Sequence, residues 1–279
     1  MYIVRLWGGI GNQLFQYAFG EFLRYNCNLD VRYDIASFGN SDKLREYELA
    51  IIAPNLPTVN NIRFSRYRGI VNRCLRALYS VKNKFVIERD FTSKIIENRR
   101  KKSDIYLQGY WQEEKYAKIL IEKNLYLPQY GFPLELEAIK IQILSSRNSV
   151  ALHVRRGDYF NPKNVGTWGV CNVDYYEKAI SYVEKLKGDC HIFVFSDDLN
   201  WVKDNLKFEG QVTFVPNYEI SQFWYIYLMS LCKNNIISNS SFSWWGAYLN
   251  KNIEKVVISP TKWNLKTKET IALDSWVKL

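Results

Sequence analysis

Apolar residues in this chain fall into short continuous runs, separated by stretches whose apolar positions recur at helical spacing. Tyr2–Leu6 is such a run and predicts a buried strand. Gly8-Gly9-Ile10-Gly11-Asn12 then turns into a helix with Leu14, Tyr17, Ala18 and Phe22 on one face. Leu29–Tyr33 predicts a second strand and Ile105–Gln108 a third, with Tyr110-Trp111 and a helix over about Glu113–Lys123 behind it. After Leu127-Pro128-Gln129-Tyr130-Gly131-Phe132-Pro133, a candidate boundary, the alternation repeats. Strands are predicted at Val150–Val154, Ile192–Phe195, Val212–Val215, Ile236–Ile237 and Val256–Ile258. Helices are predicted over Val173–Lys187, through Ile226 and Leu231, and from Phe242. Continuous apolar strands between helices predict parallel sheets covered on both faces, which bind ligands beyond the carboxyl ends of their strands.

Composition adds bounds. With 279 residues, 47% hydrophobic and 24% charged, the chain is globular, and disorder, collagen and mucin-like stalks are excluded. The length suits two modest domains or one large one. No apolar stretch reaches the roughly 18 residues of a membrane span, Phe223–Cys232 coming nearest, and the N-terminus reads as a first strand rather than a leader. Five scattered cysteines without a Cys-x-x-Cys pair, and two histidines, predict reduced thiols and no zinc site. A cytoplasmic location is expected.

Charge is unevenly spread. Residues 60–102 hold 13 basic and three acidic residues, which accounts for the whole net charge of +10. Within this basic helical segment Ile70, Val71, Cys74, Leu75, Leu78 and Tyr79 recur at helical spacing among Arg68, Arg73, Arg76, Lys82 and Lys84. Two readings stay open: a basic amphipathic helix lying on an anionic membrane, or a solvated face over an ordinary core stripe. No nucleic-acid motif accompanies the charge, and no nucleic-acid partner is expected.

Candidate chemistry gathers at predicted strand ends. Gly8–Gln13 follows the first strand and opens a helix, and is either a plain tight turn or an anion cradle of backbone N–H groups. It matches neither a dinucleotide fingerprint nor a P-loop. Leu152-His153-Val154-Arg155-Arg156-Gly157-Asp158-Tyr159 sets two arginines beside a glycine. Guanidinium forks suit a diphosphate, and an Arg156–Asp158 surface pair is the alternative. His153 is either a core histidine or a catalyst. Ser238-Asn239-Ser240-Ser241-Phe242 runs from a strand into a helix, where the serines cap the helix, grip a phosphate, or both. Ser196-Asp197-Asp198 caps a helix or faces a nucleoside. The sequence has no Asp-x-Asp metal clamp, so arginines and a helix dipole would neutralise a leaving diphosphate without metal.

At these clusters the chain closely resembles the bacterial α-1,2-fucosyltransferases of glycosyltransferase family 11. Gly8–Ala18 (GGIGNQLFQYA), His153–Tyr159 (HVRRGDY), Phe195–Asp198 (FSDD) and Ser238–Leu249 (SNSSFSWWGAYL) are similar to that family's motifs, in its order. The resemblance implies an α/β GT-B fold of two Rossmann-like domains facing a cleft. Residues 1–130 would lie on the acceptor side and 131–279 would bind the GDP-sugar. It implies inverting, metal-free transfer of L-fucose from GDP-β-L-fucose to a galactose 2-hydroxyl; the basic segment adds the expectation of peripheral membrane contact through 60–102, at the inner face where a lipid-linked acceptor glycan would be built. Carried over by motif, Arg155 would stabilise the departing β-phosphate and Asp158 would orient the arginines or approach the sugar. Gly11, Asn12, Gln13, His153, Arg156, Asp197, Asp198, Asn239, Ser240, Ser241 and Phe242 would complete the donor site. Where such sequences often carry an aspartate that reads guanine, Trp224-Tyr225 stand here, leaving that role to Asp197 or Asp198. Transfer from another nucleotide sugar, or binding without catalysis on the same fold, are the competing expectations.

Overall fold

The computed structural model, described over residues 1–59, 64–92, 103–157, 169–265 and 270–279, divides into two units, Met1–Tyr130 and Gly131–Leu279. In the first unit the buried run Tyr2–Arg5 forms β1, and helix α1 (Ile10–Cys27) starts at the glycine turn. It ends where Asn28 takes a left-handed conformation (φ 50°). Strands β2 (Val31–Asp34), β3 (Thr58–Val59), β4 (Lys84–Ile87) and β5 (Ile105–Gln108) complete a sheet of order β3-β2-β1-β5-β4 in which every pair is parallel. Helices α2 (Gly69–Ser80) and α3 (Glu114–Glu122) belong to this unit.

One expectation is corrected here. The basic segment is not helical throughout: α2 gives way to β4, whose Phe85-Val86-Ile87 run pairs in register with Tyr106, Leu107 and Gln108. Three consecutive apolar residues, two of them β-branched, satisfy a half-buried sheet edge better than a helix flank. Residues 60–63 and 93–102 of that segment lie outside the described residues.

The second unit opens with α4 (Glu137–Ser145) and β6 (Ser149–Val154), and α5 (Val173–Lys187) follows. Asn172 caps α5 by accepting the Tyr175 N–H at 2.9 Å, and Gly188 (φ 74°) closes it. Then come β7 (His191–Ser196), α6 (Leu199–Asn205), β8 (Gln211–Phe214), α7 (Phe223–Leu231) and β9 (Asn234–Ile236). Helix α8 (Ser241–Leu249), β10 (Val257–Ser259) and β11 (Val277–Lys278) finish the unit. The sheet order is β11-β10-β9-β6-β7-β8, again parallel throughout. Numbered from its own first strand this is 6-5-4-1-2-3, the doubly wound Rossmann order. Its core joins Val150, Leu152 and Val154 to Tyr176, Ala179 and Val183 of α5 and to Ile192, Val194, Ile236 and Ile258.

Candidate functional site

A doubly wound sheet has one place where consecutive connections run to opposite sides, and the loops there part to leave a crevice. In the second unit that place lies between β6 and β9, the adjacent strands from which the chain winds outward both ways. Arg155, Arg156 and Gly157 follow β6, Ser238–Ser241 follow β9, and Asp197-Asp198 follow the neighbouring β7. The three clusters singled out in this half of the sequence therefore share one sheet edge.

The arginines are held from behind. Arg155 Nη1 lies 2.8 Å from Asp197 Oδ2, and the other oxygen of Asp197 accepts the Arg156 N–H at 2.9 Å. Gly157 makes this possible, because a Cβ there would sit 2.6 Å from Asp197 Oδ2. The Arg156 guanidinium carbon stacks 3.7 Å over the Trp201 ring, with Nε 3.5 Å from Asp198 Oδ2. Asp198 also caps α6 through the Trp201 N–H at 3.0 Å. All four carboxylate oxygens of the pair thus have protein partners. The carboxylates orient the arginines, and Asp198 starts a helix.

His153 is buried, and its Nδ1 is 2.8 Å from Ser238 Oγ, tying the ends of β6 and β9 together. Burial, reinforced by the Arg155 charge, pushes its pKa down to about 3. The ring is neutral at physiological pH and serves as a core histidine. It follows that the unit is destabilised as pH falls through the window from 6.5, the unfolded value, toward 3. The unfolded chain binds a proton there that the folded ring refuses. At about pH 5 the loss is about 2 kcal/mol, fully absent above the unfolded pKa. Urea unfolding of wild type and His153→Gln at about pH 7.5 and about pH 5 checks it, the variant being expected to lose less stability on acidification.

Ser240 caps α8 by accepting the Phe242 N–H at 3.3 Å, while Ser241 and Phe242 are partly exposed at the first turn. The Phe242 ring stands 5.3 Å from that of His153. Asn239 departs from its expected donor-binding role. It is buried, donates to the carbonyls of Trp263 (3.1 Å) and Gly169 (3.4 Å), and accepts from Cys171 Sγ at 3.7 Å. It fastens flanking loops. Trp224 and Tyr225 are core residues: Trp224 packs edge-on to Phe132, and the Tyr225 hydroxyl accepts the Tyr218 N–H at 2.7 Å. Asp158 lies outside the described residues.

The first unit has its own parting of strands, between β1 and β5. Gly8 takes φ 79°, and a Cβ on it would meet Asn12 Nδ2 at 2.9 Å, so the turn requires glycine. Asn12 Oδ1 accepts from Gln112 Nε2 at 2.9 Å, joining the start of α1 to the loop beyond β5. Gly11 is buried inside the first turn of α1. Gln13 is corrected: its amide is fully buried, donating to the carbonyls of Gly8 and Glu46 and accepting the Glu48 N–H, so it staples the glycine turn to residues 46–48. Sequence reasoning missed the platform beside it. Trp7 stacks on Tyr110 at 5.0 Å, Arg5 lies 4.7 Å over Trp7, and Glu88 accepts the N–H groups of Tyr110 and Trp111 at 2.8 and 2.7 Å. The aromatic pair Tyr110-Trp111 directly after a predicted strand was the available signal.

The chain as a whole is similar to known proteins. The profile of glycosyl transferase family 11 matches residues 58–279, well over half of the chain. The O-antigen biosynthesis glycosyltransferase WbnK of Escherichia coli is 35% identical, over 98% of this chain and 98% of its own. The alpha-1,2-colitosyltransferase of Escherichia coli is 30% identical, over 99% of this chain and 98% of its own. Among solved structures, the alpha-1,6-fucosyltransferase NodZ from Bradyrhizobium, in crystals soaked with GDP-fucose, aligns with a TM-score of 0.54. It is 14% identical, over 88% of this chain and 90% of NodZ. That likeness is one of fold: GT-B, with two Rossmann-like units.

Proposed function

The chain belongs to glycosyl transferase family 11, and on that premise we propose that it moves L-fucose from GDP-β-L-fucose to the 2-hydroxyl of a galactose in a glycan, with inversion and without metal. One observation carries the reading. Arg155 and Arg156 stand with the start of α8 at the point where the second unit's strand order reverses, an arrangement suited to a diphosphate.

In this mechanism the acceptor oxygen attacks C1 of fucose as the bond from C1 to the β-phosphate oxygen breaks, that oxygen keeping the electron pair and the acceptor proton passing to solvent or to Asp158. Negative charge grows on the diphosphate along the way, so a cation fixed there lowers the barrier. Arg155 exchanges Asp197 for the diphosphate, one planar carboxylate partner for another oxygen pair. Arg156, clamped on Trp201, keeps its charge in place. The partly exposed Ser241 and the α8 dipole hold the second phosphate. The donor belongs with the second unit and the acceptor with the first.

The 30% identity with a colitosyltransferase favours one second reading, transfer of a 3-deoxy counterpart of fucose. A site built to hydrogen-bond a substrate hydroxyl rejects the analogue lacking it by about 10⁴-fold, so a donor panel separates the two. The test is GDP release from GDP-fucose with β1,3- and β1,4-linked galactosides, with linkage analysis of the product. Acceptor-dependent release, an α1,2 product and no loss in excess EDTA are expected. Binding of GDP without turnover on any acceptor overturns the catalytic reading, and preference for the 3-deoxy donor overturns fucose.

A further inference from the structure

Helix α2 has two faces with opposite fates. Its inner face packs on the sheet: Leu75 and Tyr79 lie against Ile3, Phe64 and Tyr106, and Asn72 Nδ2 donates to the Phe64 carbonyl at 2.7 Å. Arg76 lies 4.8 Å over the Phe85 ring. The outer face carries more apolar groups and buries none of them. Ile70, Leu78 and Val81 are 76%, 69% and 79% exposed, with Val71, Cys74 and Ala77 exposed between them. Positions 70, 71, 74, 77 and 78, with Val81 at the C-cap, recur at helical spacing, so they form one stripe along α2. The periodicity in the sequence is therefore two stripes, one serving the core and one facing outward.

The rim of the outer stripe is cationic. Arg68, Arg73, Lys82 and Lys84 are exposed around it, and no acidic residue occurs in the sequence from Phe64 to Ile87. We propose that this face of α2 docks on an anionic lipid surface, the helix lying in the plane of the interface with Ile70, Val71, Leu78 and Val81 among the acyl chains. Charge complementarity selects that occupant. An apolar stripe supplies insertion and the cations supply attraction to anionic headgroups, the two signals that stable peripheral binding needs together. A second copy of the chain would bring the same cations against themselves. Among the described residues no helix is long and apolar enough to cross a membrane, so α2 is a surface contact and not a span. The inference does not depend on the reaction proposed above.

Flotation of the full chain with vesicles of phosphatidylcholine plus phosphatidylglycerol, and with phosphatidylcholine alone, tests it. Binding to the mixed vesicles at low salt is expected, falling steeply at about 0.5 M salt where the screening length is a few ångströms. Ile70→Asp/Leu78→Asp should weaken partitioning at least about tenfold. Arg68→Gln/Arg73→Gln should weaken it about fivefold for each cation removed. Both pairs sit at the surface, so an unchanged thermal midpoint shows that the variants are folded. No flotation of the wild-type chain with the mixed vesicles overturns the proposal. So do variants that float like wild type, and a concentration-dependent dimer that the Asp variant dissolves without any flotation.

Discussion

If the chain carries out the proposed reaction, Arg155→Ala is expected to lower the rate of fucosyl transfer by about 10²–10³, the cost of removing one preorganised group from a developing charge. The loss should appear in kcat as well as in kcat/KM, because the interaction strengthens as the bond to C1 breaks. Stability should hardly change. The side chain is 21% exposed and paired with a carboxylate that is itself 25% exposed, and such half-solvated pairs contribute about 0–1 kcal/mol. Arg155→Lys separates charge from geometry: an ammonium restores the charge but not the planar fork, so recovery should be partial. Steady-state turnover of GDP-fucose, with thermal unfolding as control, measures both. Wild-type turnover in Arg155→Ala would remove this arginine from the mechanism.

Much of the architecture was legible because a βα alternation writes itself twice, in apolar runs of strand length and in helical spacing between them. The glycines, arginines and serines at strand ends were legible for the same reason: a ligand edge lies where strands stop. What the sequence leaves open is the direction of a side chain. Gln13 and Asn239 stand beside residues that suit a ligand, yet both turn inward and satisfy loop carbonyls. A polar side chain next to a turn has those two uses, and local pattern does not distinguish them. Asp197 and Asp198 likewise divide between capping and pairing once β6 and β7 lie side by side, a contact between residues 41 apart in the chain. The same limit applies to α2, where one periodicity covers two faces whose partners are set by the sheet beneath.

Trp111→Ala is expected to be the most damaging single change to the first unit, at about 3–5 kcal/mol. The indole is buried, stacked on Phe19 with ring centroids 3.8 Å apart and planes 6° apart, and Phe91 meets it edge-on at 5.3 Å. Truncation removes those contacts and leaves a void that two rigid rings cannot collapse to fill. The backbone adds a second reason. Trp111 sits at φ 58°, a conformation that costs a side-chain-bearing residue about 1–2 kcal/mol and is held by the Glu88 carboxylate on its N–H and that of Tyr110. With the ring gone, the strain remains and the packing that offset it does not. Trp111→Phe discriminates packing from backbone. It keeps a stacked ring and deletes an indole N–H that finds no hydrogen-bond partner, so its cost should stay under about 1.5 kcal/mol. Urea unfolding followed by a probe in each unit reads the result, since two units need not unfold together. Equal losses for the alanine and phenylalanine variants would show that a smaller ring does not replace the stacked indole, and small losses in both would show that this packing does not govern the stability of the loop.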